Sequence, residues 1–113
     1  MSCRPDILAR AIGAELVEPG ESAPILDGFA CDLLSEVIAH APSGGLLITV
    51  LSHVNTVAVA VAADLAAILV CQGRPIPSDT RTAARREGIA LLSTQANAFQ
   101  AAVAVHRALE NAQ

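Results

Sequence analysis

The segment from His53 to Gly73, HVNTVAVAVAADLAAILVCQG, constrains the fold more than any other part of the chain. From Val57 to Cys71 it carries one charged residue, Asp64, with seven apolar residues before it and seven after it. A membrane span needs about 20 consecutive apolar residues, and an Asp at its centre would cost about 2.5–3.5 kcal/mol on insertion scales. We therefore expect two elements that meet near Asp64, and no membrane association.

The two halves of this segment favour different secondary structures. The first half alternates Val with Ala, which is a strong helix former. It predicts a helix from about Asn55 to Asp64, although the same alternation also suits a strand. The second half, a short β-branched run, predicts a fully buried strand from about Ala67 to Cys71. A tight turn at Leu65–Ala66 would join the two.

Capping and turn residues divide the rest of the chain into short elements. Pro5 begins a helix that Gly13 ends. N-cap residues for three later helices are Asp32, either Ser78 or Asp79, and Asn97. Apolar runs predict strands at AELVE, APILDGFA, LLITVLS and IALLST. From residue 25 onward strands alternate with helices, which predicts an α/β fold of three layers: a mostly parallel sheet of four to five strands with helices on both faces.

Length and composition exclude several classes of function. The 113 residues are the size of one domain, so we expect residues 1–113 to fold as a single unit. The net charge is −4, and the chain has seven Arg, no Lys, no Trp and no Tyr. Nucleic-acid binding needs a basic surface and often aromatic stacking, so it is not expected. A phosphate-binding loop of the kinase type needs a Lys, which this chain lacks.

The cysteines and the N-terminus indicate a cytoplasmic protein. Cys3, Cys31 and Cys71 are odd in number and form no CxxC pair, so a disulfide framework is not expected. The first residues, MSCRPDILARAIGAEL, contain no long apolar core typical of an export signal.

Candidate binding residues lie in the loops that follow the predicted strands. Ligands of parallel sheets bind at the carboxyl ends of the strands, here the loops Asp27–Asp32, Ser52–Asn55, Gln72–Ser78 and Ser93–Asn97. Helix N-termini in these loops favour anions, Arg74 offers a planar fork for phosphate or carboxylate, and Gly73 would let a ligand approach the backbone. We therefore expect an anionic ligand near Ser52, His53, Asn55, Gly73, Arg74 and Thr94. The competing interpretation is that these are ordinary caps and turn residues, with Arg74 paired to a carboxylate such as Asp27 or lying in a dimer interface.

No catalytic or metal-binding set is evident. His53 has no nucleophile partner apart from the adjacent Ser52, which is not a catalytic pair. Cys31, His53 and Cys71 all fall near strand ends, but their scattered spacing does not match a metal site. We expect no catalytic residue, no metal and no cofactor. The cluster Arg81, Arg85, Arg86 and Glu87 is interpreted as a solvated helix face, with an acidic docking partner as the alternative.

Four segments resemble the DRTGG domain family: DLLSEV, LLITVLSHVNTVAVA, AAILVCQGRPI and EGIALLST. The likeness extends over about residues 6–109. Related domains lie beside CBS pairs in some pyrophosphatases, inside phosphotransacetylases, and in HPr kinase/phosphorylase, whose kinase chemistry belongs to a separate domain. The resemblance implies a regulatory or dimerising α/β module. The motif that gives the family its name is absent, so no residue role is carried over.

These observations lead to one main hypothesis and two alternatives. The main hypothesis is a cytoplasmic, non-catalytic regulatory module that forms a homodimer and senses a small anionic ligand, nucleotide- or phosphate-like. Dimerisation is expected because the helix at VAVAVAA is apolar all round and the domain is small. The first alternative is a ligand-free interaction subunit that docks on an enzyme or signalling kinase, and the second is a small enzyme.

Overall fold

A computed structural model describes residues 2–112 of the chain. Its five strands form one sheet in the order β1-β5-β4-β3-β2, in which β1 is antiparallel to β5 and the other pairs are parallel. The α/β fold class and the mostly parallel sheet are therefore confirmed. In chain order the elements are α1 (Pro5–Ile12), β1 (Glu15–Glu18), β2 (Gly28–Ala30), α2 (Leu34–His40), β3 (Leu46–Thr49), α3 (Val54–Ala62), β4 (Ala67–Val70), α4 (Ser78–Glu87), β5 (Ala90–Ser93) and α5 (Ala98–Asn111).

The sheet lies between two layers of helices, each with its own apolar core. Every residue of the central strands β3 and β4 is buried, as expected for strands covered on both faces. Alternate residues enter opposite cores: Leu46 and Ile48 pack on the side of α1 and α5, while Leu47 packs on the side of α2, α3 and α4. The strands β2 to β5 are added in sequence order, and crossovers of one hand place the three connecting helices on one face.

The segment from His53 to Gly73 forms two elements, as expected. Helix α3 ends at Ala62, and strand β4 begins at Ala67. The turn falls at Ala63–Asp64, two residues earlier than expected, because Asp64 adopts a left-handed conformation with φ of 57°. The Asp64 N–H donates to the Val61 carbonyl and the Leu65 N–H donates to the Ala60 carbonyl, which is the Schellman pattern of helix termination. No helix among residues 2–112 is long and apolar enough to cross a membrane.

The helix caps follow the sequence at one position and depart from it at two. Asn97 caps α5, because its side chain accepts a hydrogen bond from the Gln100 N–H at 2.9 Å. The Gln100 side chain in turn accepts one from the Asn97 N–H, which completes a capping box. Asp32 does not cap α2, which begins two residues later at Leu34. Neither Ser78 nor Asp79 caps α4 through its side chain, because the helix begins at Ser78 itself and the N-cap residue is Pro77, which has an extended backbone.

Candidate functional site

The carboxyl ends of β2, β3, β4 and β5 lie side by side, and the loops that follow them form one edge of the sheet. Asp27 does not belong to this edge, contrary to the sequence expectation. Strand β2 begins only at Gly28, so Asp27 lies at the opposite, amino edge, where its carbonyl accepts from the Leu46 N–H at 2.8 Å. Among the residues that the structure describes, no ion pair joins Arg74 to Asp27 or to any other carboxylate.

Internal hydrogen bonds fix the loop after β3. The Asp32 carboxylate accepts from the Thr49 hydroxyl at 2.7 Å and from the Val50 N–H at 3.0 Å, which ties the loop after β2 to the end of β3. The Ser52 carbonyl accepts from the buried Thr80 hydroxyl of α4 at 2.8 Å. This part of the edge is therefore held in place without a ligand.

The loops after β4 and β5 are joined directly. The Gly73 N–H donates to the Thr94 carbonyl at 2.9 Å, and the Gln72 N–H donates to the Ala96 carbonyl at 2.9 Å. Gln72 and Gly73 both have positive φ, 63° and 60°, as in a type I′ turn. The structure thus brings together two of the six expected residues, Gly73 and Thr94.

The Gln95 side chain covers the backbone of Gly73, where the sequence predicts the approach of a ligand. A Cβ at this position would lie 2.5 Å from the Gln95 side-chain oxygen, so the space above the Gly73 backbone is filled by that side chain. The positive φ of 60° favours glycine at this position. Gln95 is exposed, so a ligand that approached the Gly73 backbone would have to displace a flexible side chain.

The start of α3 presents exposed polar side chains on the same edge. His53 precedes the helix and does not cap it with its side chain. Asn55, the second helical residue, is exposed as well. In this first turn the Thr56 N–H donates to the His53 carbonyl at 3.0 Å, whereas a helix start leaves the earlier N–H groups without a partner inside the helix.

Arg74 lines an open cleft of about 200 Å³ beside these loops. The cleft lies between the carboxyl edge, α4 and the edge strand β1. Its other lining residues are Glu15, Val17, Ile76, Arg81 and Ser93. Ser52, His53, Asn55, Gly73 and Thr94 do not line this cleft, so Arg74 alone links the expected site to it.

Arg81 and Arg85 are exposed, as the sequence indicated, but they also engage a partner on another element. They face Glu18 of β1, whose side chain is only 6% exposed. Arg85 donates two hydrogen bonds to Glu18, at 3.1 and 2.8 Å, while the Arg81 Nε lies 3.8 Å from the same carboxylate. The hydrogen bond from Arg85 holds the pKa of the Glu18 carboxyl below its ordinary value of 4.5, against the opposing effect of burial. Sequence reasoning missed Glu18 because its partner lies 67 residues away.

Glu18 should make the stability of the fold depend on acid pH. A carboxyl whose pKa is lowered by folding contributes stability that is present above its unfolded pKa, about 4.5, and is lost as pH falls through its lower folded pKa. We expect Glu18→Gln to be less stable than the wild type at pH 7 and to lose less stability on acidification. Urea unfolding at pH 7 and in steps down to pH 3 measures this. Glu15→Gln, an exposed site on the same strand, should show the same dependence of stability on pH as the wild type. If Glu18→Gln also shows the wild-type dependence, the Glu18–Arg85 ion pair does not stabilise the fold as described.

The cysteines do not converge with His53. Among residues 2–112 no three His, Cys, Asp or Glu side chains are grouped so as to hold a metal ion. Cys71 is fully buried, and burial raises the pKa of its thiol. The Cys31 sulfur accepts from the Leu33 N–H at 3.4 Å.

A larger cleft, of about 430 Å³, lies between α1 and α5. Small apolar residues such as Ala11, Ala104 and Ala108 line it, with Arg107 as the one cation in the lining. It lies away from the strand ends. We place the candidate site at the Arg74 cleft because polar donors from several elements converge there and the surrounding loops are fixed by hydrogen bonds.

No family model and no curated protein sequence matches the chain. Its fold matches the crystal structure of the CBS and DRTGG domains of the regulatory region of a Clostridium perfringens pyrophosphatase, in complex with the activator diadenosine tetraphosphate. The TM-score is 0.72 at 13% sequence identity, and the match covers 92% of this chain. The chain spans 46% of the length of that one. The likeness to DRTGG domains that the sequence indicated is thus confirmed as a likeness of fold.

Proposed function

We propose that the protein is a non-catalytic regulatory module of the cytoplasm that dimerises and senses a small anionic ligand at the carboxyl edge of its sheet. The ligand would lie near Ser52, His53, Asn55, Gly73, Arg74 and Thr94. The absence of Lys from the sequence and the lack of a nucleophile–base pair in the described edge support a role without catalysis.

One observation carries the proposal. Arg74 is exposed in an open cleft at this edge, and its side chain forms no ion pair and no hydrogen bond with the residues that the structure describes. The loops around it are held by backbone bonds such as that from Gly73 to Thr94. A guanidinium group presented on a fixed frame suits carboxylate or phosphate.

The structural neighbour supports the choice of ligand class. It is a regulatory region, and it was crystallised with an activator that is an anionic nucleotide. We therefore propose a nucleotide- or phosphate-like ligand for this chain.

A thermal-shift screen of the purified protein against nucleotides, phosphate compounds and carboxylates tests the proposal. A ligand that binds only the folded state raises the melting temperature by mass action. We expect at least one anionic compound to do so in a concentration-dependent way. If none does, the sensing role is wrong and the interaction role described below is favoured.

Dimerisation rests on the outer face of α3. This helix contains no charged residue, and Val54, Ala58 and Val61 are exposed along one side of it. Val54 and Val61 are 41% and 45% exposed. Apolar side chains at spacings of four and three residues form a continuous stripe, and we propose that a second copy of the chain covers it.

Light scattering should therefore give twice the chain mass of 11.6 kDa. Val61→Asp should yield monomers, because it places a charge in the stripe. Ile7→Asp on α1 is the matched control, since Ile7 is 46% exposed on the opposite face of the sheet, and it should stay dimeric. A wild type of 11.6 kDa at micromolar concentration would contradict dimerisation, and a dimeric Val61→Asp would contradict the choice of face.

A second function is favoured by a different observation. Two of the expected ligand contacts are already engaged, since Gln95 covers Gly73 and the Thr94 hydroxyl accepts from the Ala96 N–H at 3.2 Å. This arrangement suits a ligand-free interaction subunit that docks on a partner enzyme or signalling kinase. The thermal-shift screen separates the two functions.

A further inference from the structure

We infer that the cleft takes a compact oxyanion, a phosphate or a phosphoryl group, which bridges Arg74 and Arg81. The inference rests on the proposed function and goes beyond it in two respects. It adds Arg81, which the sequence did not place at this site, and it narrows the ligand to a phosphate or phosphoryl group held by two arginines.

Arg81 is available to a ligand because Glu18 forms its hydrogen bonds with Arg85 instead. Both carboxylate oxygens of Glu18 accept hydrogen bonds from Arg85. The 3.8 Å between the Arg81 Nε and Glu18 is beyond hydrogen-bond distance, and the Arg81 side chain is 49% exposed. It makes no other ion pair or hydrogen bond with the part of the chain that the structure describes. The Arg85–Glu18 pair therefore holds this part of α4 against β1 and leaves the Arg81 guanidinium free to turn toward the cleft.

The lining of the cleft combines apolar and polar side chains. Val17 and Ile76 are half-buried apolar residues in it. Hydrogen bonds from a charged donor to an anion are stronger than those between neutral groups. Ser93, at the end of β5, adds a hydroxyl group to the lining.

Size and geometry favour phosphate over other anions. The volume of about 200 Å³ is below the roughly 300–1,000 Å³ of pockets that enclose drug-sized ligands, so the cleft can enclose a phosphate group but not a whole nucleotide. Each guanidinium presents a fork of donors that is satisfied by two oxygens. A carboxylate can fill one fork, whereas the tetrahedral oxygens of phosphate can engage both. The negative charge of Glu15 in the lining repels an anion, so neutralising this side chain should tighten the binding of phosphate.

Isothermal titration calorimetry with inorganic phosphate, acetate and a nucleoside monophosphate tests the inference. We expect the wild type to bind phosphate and to bind acetate about tenfold more weakly or worse. Arg74→Ala and Arg81→Ala should each weaken phosphate binding by roughly ten- to a hundred-fold, the usual cost of a lost charged hydrogen bond. Glu15→Gln should bind phosphate more tightly. A nucleoside monophosphate that binds more tightly than phosphate identifies the phosphoryl group of a larger ligand, and equal affinity identifies free phosphate.

Arg86→Ala is the matched control, because Arg86 lies on the same helix and, among residues 2–112, pairs with its neighbour Glu87 alone, at 3.3 Å. It should bind phosphate like the wild type. Arg81→Lys keeps the charge but loses the fork and should bind weakly, and circular dichroism confirms that each variant is folded. If Arg81→Ala binds phosphate as the wild type does while Arg74→Ala does not, the two-arginine site is wrong and the proposed function stands. The same conclusion follows if a different anion binds through Arg74 and phosphate does not. If no anion binds the wild type, both are wrong.

Discussion

Replacing Gly20 with Ala should destabilise the protein far more than replacing Gly13 with Ala. Both glycines have a positive φ, 63° and 71°, so an Ala at either site carries the same kind of backbone strain. Their surroundings differ. A Cβ at Gly20 would lie 2.5 Å from the Ala90 nitrogen and 2.9 Å from the Gly88 oxygen, both of which are backbone atoms. A Cβ at Gly13 would have no atom within 4 Å from the described residues beyond its chain neighbours.

Comparing the two variants separates the cost of crowding two backbone segments at Gly20 from the cost of backbone strain, which both variants share. Gly13→Ala should cost about 1–2 kcal/mol, which is the strain of a left-handed alanine. Gly20→Ala should cost roughly 3–5 kcal/mol, because the turn after β1 must also move away from the start of β5. That movement would shift the neighbouring Glu18 and weaken its contact with Arg85. Urea unfolding of both variants measures the difference, and equal losses would contradict the packing of this turn.

Replacing Leu47 with Ala should cost about 2–5 kcal/mol, whereas Leu33→Ala should change stability by less than about 0.5 kcal/mol. Leu47 is fully buried in the central strand β3, on the side of α2, α3 and α4. Leu33 precedes α2 and is 58% exposed. Only the buried site leaves a cavity when its side chain is shortened.

This pair of variants tests the core between the sheet and helices α2, α3 and α4. Small domains have total stabilities of about 5–15 kcal/mol, so Leu47→Ala should lower the melting temperature by many degrees. The unfolding midpoint in urea gives the two costs directly. A Leu33→Ala variant as unstable as Leu47→Ala would show that α2 packs differently from the structure described here.

Most of the fold could be predicted because its signals are local. Alternating apolar runs and helix starts gave the order of elements from residue 25 onward. The division at Asp64 followed from one charge in an apolar segment, and the Asn97–Gln100 capping box lies within four consecutive residues. Such features depend on neighbours in the sequence, which is why they can be recognised without the structure.

The site was less predictable because its contacts join distant residues. Asp32 has the side chain of a helix cap, but Thr49 and Val50, which bind it instead, lie 17 and 18 residues away. The fit of Gly73 against Gln95 depends on how two loops meet. The partner of Arg85 lies on an edge strand that no local pattern connects with α4. One error had a local cause, since the loop after β2 was expected to begin at Asp27, whereas Asp27 precedes the strand, which spans Gly28–Ala30.

The central claim, that the protein senses an anion through Arg74, is tested most directly by titrating the wild type and Arg74→Ala with the compound that stabilises the wild type most in the thermal-shift screen. We expect Arg74→Ala to remain folded and dimeric, because its side chain makes no contact that holds the described fold together, and to bind that compound roughly ten- to a hundred-fold more weakly. Light scattering of both proteins provides the check on assembly. An Arg74→Ala variant that binds as tightly as the wild type, or that dissociates into monomers, would contradict the claim.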